Sequence, residues 1–154
     1  MKANEVMAAF AAEMGQDGIE PDEDGIYAVE LDGMEVSFTA DDGRLITFAA
    51  VGELPPEGRE GLLVSMMEAM HLTDDAIFSI DPDAGTVCLQ RFDELAFLDY
   101  EDFRTRLESF VNLLEEWQGR FASAQEGVTE ESPEDIEVPE LGTGVGTQDG
   151  LIMV

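Results

Sequence analysis

Seven basic residues, one histidine, one cysteine and one tryptophan are all that this 154-residue chain has of those types. Each scarcity removes a class of function. Thirty-six acidic residues outweigh the seven lysines and arginines, for a formal net charge of -29. Phosphate recognition needs clustered Lys and Arg, so nucleic acid and anionic lipid headgroups are repelled. Partners are expected to be basic or apolar. His71 stands alone, which leaves no histidine pair and no histidine-rich metal cluster. Its place after Met70, near the end of an expected helix, suits the helix dipole. A lone Cys88 cannot close an internal disulfide, which fits a reducing compartment. Among Val87 and Leu89 it reads as a small apolar strand residue, with no neighbouring base to make a nucleophile of it. No run approaches the roughly 20 apolar residues of a membrane span. The N-terminal stretch MKANEVMAAFAAEMGQDG has a short apolar segment broken by Glu13, unlike a signal peptide. A soluble cytoplasmic protein is the expectation.

What the chain does have is acid in its turns and apolar residues in its periodic segments. Glu20, Asp22, Asp24 and Gly25 imitate part of a calcium loop, but Leu31 occupies the twelfth position where a bidentate Glu is required. Asp81 and Asp83 flank a proline in a short turn. Turn chemistry accounts for both sets. GTGVG at 142–146 follows no strand and precedes no helix, so it is not a phosphate loop. Paired carboxylates are too common in this chain to single out an acid–base couple. No catalytic residue, metal ligand or cofactor-binding residue is assigned, and no enzyme is expected.

Organisation is clearer. Val6, Met7, Phe10 and Met14 have helical spacing over residues 2–14. IYAVEL and MEVSF alternate about Asp32-Gly33, a strong hairpin signal. Asp41-Asp42-Gly43 then turns into RLITFAAV, apolar on both faces and therefore expected to be central. A helix at about 57–71 carries Leu62, Leu63, Met66, Met67 and Met70. AIFSI and TVCLQRF form a further hairpin. Asp99 resembles an N-cap for a last helix with Phe103, Leu107, Phe110, Leu114, Trp117 and Phe121 on one stripe. Phe110, Leu114 and Trp117 are assigned to the core. The order α-β-β-β-α-β-β-α predicts an α+β domain with a twisted antiparallel sheet over residues 1–121. Residues 122–154, rich in acid, Gly, Pro, Ser and Thr and without Lys or Arg, are expected to form a flexible tail. Leu151 to Val154 form an apolar run within it, read either as incidental or as a segment that docks on an apolar surface. The methionine-rich second helix covers a wide apolar arc, and a homodimer would bury it.

The element order, the acidity and the pattern F-x3-L-x2-F-x6-W resemble the class I type III secretion chaperones, the Tir-chaperone family. DDGRLITFAAVGELP, LLVSMMEAMHL and TVCLQRFDELAFLDYEDF match the same family pattern, and the resemblance covers roughly residues 1–121. It implies a cytoplasmic bacterial homodimer that binds the N-terminal region of a secreted effector or translocator protein in extended form, without nucleotide. On that basis Leu63, Met66, Met67 and Met70 are expected at the dimer interface, and Val6, Phe10, Ile46 and Phe48 at the client site. The competing expectation is an acidic adaptor or regulatory module of the same fold that binds a folded partner.

Overall fold

The computed structural model describes residues 1–73 and 76–130, with side chains to residue 126. Eight principal elements appear in the anticipated order: α1 (Ala3–Glu13), β1 (Tyr27–Leu31), β2 (Met34–Asp41), β3 (Arg44–Glu53), α2 (Arg59–Leu72), β4 (Ile77–Ile80), β5 (Thr86–Glu94) and α3 (Tyr100–Glu130). A single 3-10 turn, Leu95–Phe97, links β5 to α3. The five strands form one antiparallel sheet in the order β1-β2-β3-β5-β4, so β3 is central as its two-sided apolar pattern predicts.

Local chemistry sets the register. Asp32 and Gly33 (φ 51° and 82°) and Asp42 and Gly43 (φ 48° and 78°) both adopt the left-handed pair that a two-residue hairpin needs. Leu31 therefore faces Met34, and Asp41 faces Arg44. With register fixed, the period of two sends Val36 and Phe38, Leu45 and Ala49, and Val87 and Leu89 to one face, all buried.

Helices α1 and α3 cover that inner face. Asp99 caps α3 by accepting the Asp102 N–H at 2.8 Å. The α3 stripe of Phe103, Leu107, Phe110, Leu114, Trp117 and Phe121 is buried along its length, including the three residues assigned to the core from sequence. Rings of Phe10, Phe38 and Phe103 meet with centroids 5.7–6.2 Å apart, and Phe78 meets Trp117 edge-on at 5.0 Å. A bulge between Ala50 and Gly52 in β3 brings Phe121 so near that a Cβ on Gly52 would lie 3.2 Å from its ring. Helix α3 continues to Glu130, so residues 122–130 extend the helix rather than beginning the tail expected from 122. Their Ala, Gln and Glu content is good helix former, which composition alone had grouped with the Gly- and Pro-rich stretch beyond. The rest of the expected tail, 131–154, lies outside the described residues.

One part of the inner face is charged. Arg91 and Asp93, 8% and 4% exposed, sit beneath α3 with the Arg91 Nε donating to Asp93 at 3.0 and 3.2 Å. Arg106 of α3 donates to the same carboxylate. A buried carboxylate is tolerable only when paired in this way. Because Arg91 and Asp93 face inward, Phe92 between them must face out.

Candidate binding surfaces

The sheet's second face is covered by no described element. Strand pairing arranges its side chains in rows: Thr39, Ile46 and Phe92 in one, and Ser37, Phe48, Gln90 and Ile77 in the next. Ile46 and Phe48 are half-buried, whereas Phe92 and Ile77 are 38% and 48% exposed. The Arg44 guanidinium lies 5.2 Å from the Phe92 ring centroid, a cation–π contact on the one described outer-face residue with a full positive charge. Beside them a groove of about 410 Å³ crosses the sheet, lined by Ser37, Phe48, Ala50, Cys88 and Gln118 among others. Cys88, read from sequence as a small apolar strand residue, is half-buried on this face, since Val87 and Leu89 point inward. Burial first, and then the Asp81 carboxylate, push its thiol pKa up from the ordinary value. That leaves it a poor nucleophile at neutral pH.

A second apolar surface is the outward side of α2. Only Met66 of this helix is fully buried. Leu63 and Met70 are half-buried, and the Met70 sulfur accepts the Phe78 N–H at 3.3 Å, which ties α2 to β4. Val64, Met67 and Leu72 point away, at 51%, 67% and 83% exposure, around an open groove of about 640 Å³ shared with Glu68 and His71. Helix α2 carries Arg59 against Glu60 and Glu68, a formal charge of only -1 with His71 counted neutral, in a chain of -29.

The residues expected at these sites divide accordingly. Of the four client-site candidates, Ile46 and Phe48 lie together on the outer face. Val6 and Phe10 do not join them: at 0% and 7% exposure they are core, because α1 turns its whole apolar stripe onto α3 and the sheet. Of the four interface candidates, Met67 projects to solvent, Leu63 and Met70 are at the margin, and Met66 is core. Val64, Leu72, Ile77 and Phe92, exposed on these two surfaces, were not among the candidates. Phe92 was legible in principle, since strict alternation along CLQRFDE sets Phe92 opposite to Leu89. The inward charges Arg91 and Asp93 hid that signal. Among the described residues no group of three or more His, Cys, Asp and Glu side chains could hold a metal ion, and no helix is long and apolar enough to cross a membrane.

Three helices and five antiparallel strands in this order have counterparts among known proteins. The model of the Tir chaperone protein (CesT) family matches residues 5–118. The chain belongs to that family. Among solved structures, a chain of the ExsC–ExsE complex is similar at 27% identity with a TM-score of 0.65, covering 77% of this chain and 92% of that one. The Yersinia pestis type III secretion chaperone SycH, solved in complex with a stable fragment of YscM2, is similar at 20% identity and TM-score 0.62, covering 75% and 99%. The HopA1–SchA chaperone–effector complex is similar at 12% identity and TM-score 0.65, covering 75% and 91%. The last two likenesses concern the fold. No curated protein matches the chain in sequence.

Proposed function

We propose that this protein is a cytoplasmic type III secretion chaperone that binds the N-terminal region of a secreted effector or translocator protein as an extended segment and acts without catalysis. The observation that carries the reading is the open apolar outer face, on a domain of the Tir chaperone family whose opposite face is sealed by two helices. An extended client loses conformational freedom on ordering, so its affinity must come from apolar contacts spread over a long surface. Ile46, Phe48 and Phe92 supply such contacts, and the groove beside Phe48 is a socket for a client side chain. The acidic surface keeps a protein with exposed apolar patches soluble and speeds its encounter with a basic client.

The working unit in this reading is a homodimer joined through α2. Two chains of net charge -29 repel each other once they approach within the screening length, roughly 8 Å at physiological salt. The nearly neutral, apolar side of α2, centred on Met67, is where two copies approach at least cost. Leu63 and Met70 flank that contact. Affinity purification of the full chain from its native cells tests the reading. Recovery of one secreted protein, with hydrogen–deuterium exchange slowed at Ile46, Phe48 and Phe92, supports it. Recovery of a folded regulator with no protection of the outer face supports the adaptor reading instead.

A further inference from the structure

The helix that seals the inner face also reaches the outer groove. Gln118 of α3 donates from Nε2 to the Ala50 carbonyl at 3.0 Å and is itself part of the groove lining. One and then two turns on, Phe121 packs against Gly52 and Gln125 donates to the Glu53 carbonyl at 3.2 Å. The second half of α3 therefore runs beside the end of β3, and the helix ends at Glu130, about 18 Å along its axis beyond Gln118. Beyond Glu130 come residues 131–150 and then Leu151, Ile152, Met153 and Val154, the one run of four consecutive apolar residues after the helix. Twenty residues span at most about 70 Å, several times the roughly 14 Å radius of gyration of a domain this size. Reach is not limiting. Charge favours the same end of the segment: acids crowd residues 130–140, whereas 141–154 contain only Asp149, and Glu35 is the sole acid in the groove lining.

We propose that Leu151–Val154 occupies the outer-face groove of its own chain, over Phe48, Ala50 and Cys88, as a resident competitor for extended partners. Tethering raises the local concentration of the run to the millimolar range, which makes a weak apolar contact significant. A client must then displace it, so segments less apolar than the tail's own run are rejected. That consequence rests on the client reading above; the docking itself does not.

Cys88, the chain's only thiol, lines the groove and reports on it without a label. The experiment compares iodoacetamide alkylation of Cys88 at pH 9, read by mass spectrometry, in the full chain and in a full-length variant with Leu151, Ile152, Met153 and Val154 all changed to Ser. The variant should melt at the unchanged temperature and alkylate about threefold faster, as expected when a tethered weak ligand is removed. Millimolar synthetic peptide of residues 143–154, added to the variant, should restore the slow rate, and the serine form of the peptide should not. Equal rates in the two proteins overturn the proposal. So does an unchanged Cys88 rate accompanied by a changed solution mass, which assigns the run to α2. The client fragment recovered from native cells separates the two readings. If it protects Cys88 in the variant while the tail never does, docking of the tail fails and the client site stands. If the tail protects Cys88 and the fragment does not, docking stands and the client site fails.

Discussion

The two faces of the sheet are made by alternate residues of the same strands, yet one is finished and the other is not. Inside, Phe38, Leu89 and Trp117 are excluded from water and locked by aromatic contacts, and even Arg91 and Asp93 are paired. Outside, Ile46, Phe48 and Phe92 have neighbours within the sheet but no described element above them. The inner face pays the entropy of folding; the outer stays in contact with water. The same division recurs on α2, where Met66 and Met67 are adjacent in sequence and opposite in exposure.

The sharpest test of the contrast is that methionine pair. Met66→Asp introduces an unpaired charge into the core and should cost several kcal/mol, enough to unfold much of the protein. Met67→Asp should leave the subunit's unfolding free energy within about 0.5 kcal/mol and, on the proposed homodimer, convert it to monomers. Urea titration at one concentration and light scattering separate the two outcomes. A Met67→Asp protein that stays dimeric removes α2 as the interface.

Next in size is Phe38→Ala, which leaves a void between α1, α3 and the sheet and should cost about 3–5 kcal/mol in denaturant midpoint experiments. Phe92→Ser, on the other face, should change stability by less than about 1 kcal/mol while weakening client binding about tenfold, measured calorimetrically with the recovered client fragment. If both substitutions destabilise equally, the outer face is structural and the comparison fails.

The smallest effect concerns the tie between α1 and α3. The Tyr100 hydroxyl donates to Glu13, which also pairs with Arg104 at 3.1 Å. Burial first, and then the bond to Glu13, push the Tyr100 pKa from 10.0 up to about 12. The folded state thus favours the neutral phenol, so the stabilisation is complete below pH 10 and is lost as pH rises toward 12. The contact is largely exposed, so Tyr100→Phe should cost about 0.5 kcal/mol or less at pH 7. The difference between wild type and variant should vanish near pH 12 in melts followed by circular dichroism, and a difference that grows with pH would contradict this linkage.

Much of this was legible along the chain. Asp32-Gly33 and Asp42-Gly43 announced two hairpins, and the steps of three and four from Phe103 to Phe121 announced the sealing helix. Those signals are local, because turn chemistry and helical periodicity depend on residues a few positions apart. The site was only partly legible. Ile46 and Phe48 lie together on the outer face, but Val6 and Phe10 have the same hydrophobicity and are core. Nothing in a one-dimensional pattern says which of two apolar stripes will be covered.

By itself, then, the amino-acid order determined the elements, their succession, the antiparallel pairing and the family, all consequences of short-range preferences and alternation. Tertiary structure alone decided which apolar residues stay in contact with water. Burial is a property of how layers stack: Arg91 and Asp93 went inward to meet Arg106, and Phe92 was turned out because a strand has two sides and cannot hide both.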